Sequence, residues 1–147
     1  GGAKNALAAS VRHATERVQF QKKIGEFGLV KEKIGRMMMN IYVAESMCYM
    51  TTGLIDRGDV DYSIESACAK VFATEMLWEV ADENLQIWAG NGYMKEYPYE
   101  RWLRDARINR IFEGTNEINR LLTIDMLLKR AMKGTLDLMT PAMASEP

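Results

Sequence analysis

Histidine occurs once and cysteine twice in this chain of 147 residues, which leaves it without the ligand set of a metal centre. His13, Cys48 and Cys68 lie far apart in the sequence, so the donors of a structural or catalytic zinc site cannot be assembled, and no metal is expected. The two thiols sit in helical patterns and are expected as small core residues rather than as a disulfide. Charge of one sign is also missing. Nineteen basic against twenty acidic side chains give a net charge of -1, which provides no global field for nucleic acid or an anionic membrane. No apolar run approaches the ~20 residues that span a bilayer, and Gly1-Gly2-Ala3-Lys4 lacks the layout of a signal peptide. Alternation of strand period and internal repeats are absent as well.

What remains is a helical, core-forming composition. Apolar residues make up 48% and charged residues 27%, as in a soluble domain with one core. Ala3, Leu7, Val11, Ala14 and Val18 recur at helical steps and mark a first amphipathic helix, which the chain is expected to enter midway, as a piece of something longer would. Gln21 to Gly28 reads as a loop. Val30, Ile34, Met37, Ile41, Ala44, Cys48, Thr51 and Ile55 then define a long second helix that Arg57-Gly58 stops. Ile64, Cys68, Phe72, Met76 and Val80 carry a third, which reaches Trp88 and ends at Ala89-Gly90-Asn91-Gly92. Pro98 opens a short helix from Tyr99 to about Arg107, and Thr115 caps a last one with Ile118, Leu121, Leu128 and Met132 on one face. The expected fold is an all-α, up-and-down bundle of four main helices and a short connecting helix over 1–134, with a disordered tail at 135–147. The eleven methionines, Met37-Met38-Met39 included, are expected mainly as gap-filling core.

One acid stands in a setting suited to chemistry, within Ile111-Phe112-Glu113-Gly114-Thr115-Asn116-Glu117. Phe112 offers an apolar wall, Gly114 removes the neighbouring side chain, and Thr115 caps the following helix. A carboxylate desolvated against a ring has its pKa raised and works as a base near neutral pH, which points to proton abstraction beside a carbonyl. The alternative is a solvated loop acid. Arg101, Arg104, Arg107 and Arg110 resemble a phosphate stripe, but with Glu100 and Asp105 among them they are expected as an ion-pair set. His13 is expected as a packed or interfacial side chain.

Three separated stretches resemble the C-terminal helical domain of the flavin-dependent acyl-CoA dehydrogenases: Arg17-Val18-Gln19-Phe20, Gln86-Ile87-Trp88-Ala89-Gly90-Asn91-Gly92-Tyr93, and Arg104-Asp105-Ala106-Arg107 leading into Phe112-Glu113-Gly114-Thr115. The resemblance implies that Glu113 removes the α-proton of an acyl-CoA thioester while the β-hydrogen leaves as hydride to FAD, in fatty acid β-oxidation. Gly114 would let the substrate pass close to the backbone. Thr115, Asn116 and Glu117 fall where the family contacts the flavin nucleotide. Arg17 is similar in position to the arginine that reaches the FAD pyrophosphate of a neighbouring subunit, with Val18 and Gln19 beside it. Phe20 looks like an apolar contact for the cofactor, with ordinary core as the alternative. Gln86, Ile87, Trp88, Ala89 and Gly90 match the segment along the nucleotide of the adjacent subunit. The implied partners are acyl-CoA, further copies in a dimer or tetramer, and an electron-transfer flavoprotein as acceptor. The implied location is the cytoplasm in a bacterium and the mitochondrial matrix in a eukaryote.

Two positions depart from the family pattern: Gln21 stands where glycine usually follows the Arg-x-x-Phe motif, and Gly28 replaces a common glutamine. Glu45-Ser46-Met47 and Lys95-Glu96-Tyr97-Pro98 are similar to the very-long-chain branch. The N-terminal helical and middle β-domains of the family are not in this chain, so alone it is expected to be inactive. An acyl-CoA oxidase domain and a non-catalytic helical oligomerisation or interaction module are the alternatives.

Overall fold

The computed structural model describes residues 1–137 and Thr140. It is an all-α bundle: α1 (Gly2–Glu16), α2 (Gly28–Arg57), α3 (Ser63–Trp88), a single-turn α4 (Gly90–Tyr93), α5 (Tyr99–Ile108) and α6 (Asn116–Met132). Most of the expected tail at 135–147 lies outside the described residues. No helix among those described is long and apolar enough to cross a membrane.

α3 is the central element and packs against α1, α2, α5 and α6. Its composition suits that place: Ala67, Ala69, Val71, Met76, Val80, Ala81, Asn84 and Ile87 are buried around more than one face, so it has no broad polar side. Met37, Ile41 and Ala44 of α2 and Ala3 and Ala6 of α1 meet Met76, Val80 and Ile87 in the main cluster. Each fully buried side chain of this size contributes about 1.5–3 kcal/mol relative to exposure.

α1 is inserted through its small residues. Ala3, Ala6, Ala9, Ser10 and Ala14 are buried, whereas Val11 and Val18 of the expected stripe are exposed. Small side chains allow α1 to approach α3 closely, and the larger valines are turned outward. At the seam, Ser10 donates its hydroxyl to Asn84 Oδ1 at 2.8 Å, both side chains being fully enclosed.

Four further expectations are corrected. Residues 18–23 form a short antiparallel hairpin, β1 (Val18–Gln19) with β2 (Lys22–Lys23), where Val18 was expected on the first helix and Gln21 onward as a loop; its two-residue turn is too short to leave a periodic signal. Of the three consecutive methionines only Met37 is core, since a helix turns 100° per residue and carries Met38 and Met39 to solvent. Cys48 is exposed and Cys68 half-buried, the latter with its Sγ 4.0 Å from Thr123 Oγ1 at the packing of α3 on α6. Among the described residues, Arg101, Arg104, Arg107 and Arg110 form no ion pairs; Arg107 instead lies over Trp78, 6.0 Å from the ring centroid.

The helix ends follow local chemistry. Gly58 closes α2 in the left-handed conformation at φ 73°, its N–H on Ile55 O. Asp61 accepts from the N–H and hydroxyl of Ser63 at the start of α3, and these bonds, helped by Arg130, pull its carboxyl down to about 2.

Candidate functional site

The expected site residues fall into two groups along α3. The first is the turn between α5 and α6. Thr115 caps α6 through Ile118 N–H at 3.3 Å, and Asn116 N–H returns to Arg110 O at 3.1 Å, closing the loop that displays Glu113. Glu113 and Gly114 both have positive φ, 57° and 79°. Glycine accepts that backbone freely, whereas a glutamate there carries a penalty of about 1–2 kcal/mol, so surrounding contacts must hold the turn.

Those contacts are explicit. Asn119 Nδ2 donates to Gly114 O at 2.8 Å and to Thr115 O at 3.1 Å. Lys70 Nζ, from α3, donates to the same Gly114 carbonyl at 2.9 Å and to Asn116 Oδ1 at 2.7 Å. Asn116 is 1% exposed, and its Nδ2 donates to Thr74 Oγ1 at 3.0 Å and Glu75 Oε1 at 3.3 Å. Glu75 in turn accepts from Arg120 at 2.7 and 2.8 Å. Burial pushes the Glu75 carboxyl up, but Arg120 and Asn116 outweigh it and the net shift is downward. Glu117, in the first turn of α6, is lowered by its own N–H and by the Thr115 hydroxyl.

The expected desolvation of Glu113 is not supplied by this domain. Glu113 is exposed and Phe112 is 48% exposed, so the aromatic wall faces outward with the acid. Asn116 is turned into the bundle and its N–H is taken by Arg110 O, so neither its side-chain amide nor its backbone donor is open to a ligand at the helix start. Thr115 and Glu117 stay at the surface end of α6.

The second group gathers at the other end of α3. Arg17 follows α1 with its N–H on His13 O at 2.8 Å, and its carbonyl accepts from Ile24 N–H at 2.9 Å, so the hairpin springs from a fixed base. Gln19 pairs with Lys22, and the two turn residues, Phe20 and Gln21, have φ of 52° and 67°. Two left-handed residues in a two-residue loop make the tight turn that matches strand twist. Phe20 is 86% exposed, which removes the core alternative for it; among the described residues its ring meets Phe27 edge-on at 6.2 Å. Arg17, Val18 and Gln19 are exposed too, and among the described residues Arg17 makes no ion pair.

His13 joins this arm to the end of α3 by stacking on Trp88, centroids 4.0 Å apart and planes 18° from parallel. Burial, then the Arg17 charge, holds the imidazole below its ordinary pKa. Trp88 also meets Tyr99 at 4.5 Å. Gln86 is exposed, while Ile87 is 6% exposed and belongs to the core, so it offers a ligand its backbone alone. The chain breaks at Ala89, φ 52°, the first residue of the Ala89-Gly90-Asn91-Gly92 stretch expected to end α3. Gly92 answers a different need: a Cβ there would stand 2.5 Å from Leu85 O. Gly90 is exposed with open space where a Cβ would be, so nothing inside the chain requires its bareness.

Lys70 and Trp88 are 18 residues apart on α3, which separates the groups by about 27 Å along the helix. Sequence reading missed Lys70, Thr74 and Asn119. Lys70 and Thr74 share a helical face four residues apart, but nothing local says which loop they meet. The two asparagines three apart, Asn116 and Asn119, were the available signal for a side-chain-locked turn.

The sequence profile of the acyl-CoA dehydrogenase C-terminal domain matches residues 1–128. The very long-chain specific acyl-CoA dehydrogenase of human mitochondria is 48% identical over 93% of the chain, which spans 20% of that protein. A crystal structure of an acyl-CoA dehydrogenase complexed with FAD, from Bacillus anthracis, superposes with a TM-score of 0.91 at 41% identity, covering 97% of this chain and 28% of that one. Butyryl-CoA dehydrogenase from Megasphaera elsdenii gives 0.82 at 36% identity over 86% of the chain and 33% of its own.

Proposed function

The chain belongs to the acyl-CoA dehydrogenase family as its C-terminal domain, and on that premise we propose that Glu113 is the base that takes the α-proton of an acyl-CoA thioester in the complete flavoprotein. The observation that carries the reading is the construction of the base loop: a glutamate held in the left-handed region between two helices, its next carbonyl anchored by Lys70 and Asn119. A surface loop acid has no need of such anchoring.

The α-proton passes to the Glu113 carboxylate, and the electron pair of that C–H bond becomes the new double bond as the β-hydrogen departs with its own pair. FAD, when bound, supplies the acceptor for that hydride. The residues present fit such a group. Arg17 offers an unpaired planar cation suited to pyrophosphate oxygens. Phe20 offers an exposed ring, and Gly90 a bare stretch of backbone next to Gln86. Thr115 and Glu117 stand at the N-terminus of α6, where the positive end of the helix dipole suits an acceptor-rich ligand. Gly114 puts bare backbone beside the base, and its missing Cβ also makes way for Asn119 Nδ2, which would stand 3.1 Å from it. Desolvation of Glu113, which this domain leaves exposed, falls to the surface that the rest of the protein lays over Phe112.

The distance of about 27 Å between the two groups supports a further step. The Arg17 arm and the Gln86–Gly90 segment serve the cofactor held by another subunit, so the working form is a homo-oligomer. The electron acceptor is an electron-transfer flavoprotein, and the location is the mitochondrial matrix in a eukaryote or the cytoplasm in a bacterium.

The test joins this chain to the regions that precede it in the complete protein and follows anaerobic flavin bleaching by acyl-CoAs of graded length. Glu113→Gln is expected to slow bleaching by on the order of 10²-fold or more. A rate within a few-fold of the parent removes the base assignment. Arg17→Ala is expected to weaken FAD retention while sparing the chemical step. Reoxidation by a flavoprotein in preference to oxygen distinguishes dehydrogenase from oxidase.

A further inference from the structure

We propose that Lys70 is a positioning residue for the reaction, fixing the direction in which Glu113 presents its carboxylate; this rests on Glu113 being the base. The Gly114 carbonyl, one peptide beyond Glu113, accepts from Lys70 Nζ at 2.9 Å and Asn119 Nδ2 at 2.8 Å, so it is held from two different helices. Fixing that carbonyl fixes the peptide plane that follows Gly114, the one residue in the turn whose backbone would otherwise move most freely.

The two donors are not equivalent. Asn119 belongs to α6, the helix that the loop opens, and moves with it. Lys70 belongs to α3, the helix around which the bundle is packed, and ties the loop to the core. Its ammonium is itself held in place, with Asn116 Oδ1 at 2.7 Å on an amide that is 1% exposed and bound to Thr74 and Glu75. Among the described residues Lys70 makes no ion pair; its bonds go to two neutral oxygens that define the start of α6. A lysine serving solubility or a surface salt bridge has neither partner. The arrangement reaches over 44 residues of sequence to one carbonyl beside the base.

The experiment uses the complete FAD-loaded protein with Lys70→Met, Lys70→Arg and Glu113→Gln in parallel. Lys70→Met is expected to lower the rate of flavin reduction at saturating acyl-CoA by about tenfold or more, the scale set by a misplaced reacting group. FAD content, and affinity for a thioether analogue that has no acidified α-proton, are expected to stay within about twofold, which places the loss in the chemical step. Lys70→Arg, which keeps the charge and the donors, is expected to return to within about threefold of the parent. The proposal is overturned by Lys70→Met reducing its flavin at the parent rate while Glu113→Gln does not. It is also overturned by loss of FAD in step with rate, since the lysine then serves the fold alone. Should Lys70→Met not accumulate, Lys70→Gln carries the same measurement, and failure of both to hold flavin counts against the proposal. If Glu113→Gln itself reduces flavin normally, the base assignment has failed, a result distinct from the failure of Lys70.

Discussion

Replacing Asn116 with alanine isolates the polar joint between α3 and α6. The side chain is 1% exposed and bonds three side chains that truncation releases: Lys70 Nζ at 2.7 Å, Thr74 Oγ1 at 3.0 and 3.2 Å, and Glu75 Oε1 at 3.3 Å. A bond to a charged group contributes about 1.5–3 kcal/mol and a neutral one about 1 kcal/mol, so the gross loss is about 4–7 kcal/mol. Lys70 and Glu75 are only half-buried, and water can reach both once the amide is gone. The long contact to Glu75 also carries less than its full share. The net cost is therefore about 2–4 kcal/mol, against about 1 kcal/mol for loss of the neighbouring Thr115 cap. For a chain of this size that lowers Tm by about 5–15 °C. The assay is equilibrium unfolding of the chain in guanidinium chloride beside a thermal scan, with an unchanged denaturant slope as the control for compactness. A double-mutant cycle with Thr74→Ala is expected to give a coupling of about 0.5–3 kcal/mol. A loss below about 1 kcal/mol, or strict additivity with Thr74→Ala, would refute the claim that this amide sets the seating of α6.

Gln21→Gly is expected to stabilise the chain by about 0.5–1 kcal/mol: glycine relieves a left-handed penalty of about 1–2 kcal/mol and gives part of it back as unfolded-state freedom. A lower denaturation midpoint would contradict the turn geometry at φ 67°. Met37→Ala is expected to cost about 2–5 kcal/mol by opening a cavity, while Met38→Ala and Met39→Ala stay within about 0.5 kcal/mol. Equal losses at all three would mean that the register of α2 differs. The Asp61 carboxyl, held at about 2 against an ordinary 3.8, supplies stability that is complete above the ordinary carboxylate range and disappears as pH falls through about 2. Carbon-detected NMR titration is expected to find that low midpoint and to see it rise in Ser63→Ala, since the Ser63 hydroxyl bond, the largest cause, is lost while the N–H bond stays.

Local signals in the sequence were enough to place the helices. The run from Val30 to Arg57 stopped at Gly58 because a glycine there takes the left-handed cap, Pro98 preceded α5, and Thr115 did cap α6 through Ile118. These are choices within a few residues of chain, and periodicity and cap chemistry decide them. Which face of a helix would be covered was a different matter. α1 shows it, burying alanines and turning Val11 outward, as do Cys48 on α2 and the exposed Ile118, Leu121 and Leu128 on α6. The candidate site divides in the same way. Glu113, Gly114 and Arg17 were legible as residue types in a motif, but the left-handed backbone at Glu113 and its tether to Lys70 were not. Sequence alone determined the five longer helices and most of their caps, because those free energies are local. Tertiary structure decided the neighbours, because a hydrogen bond between residues 70 and 114, or the covering of an apolar stripe, exists only once separate helices have been brought together.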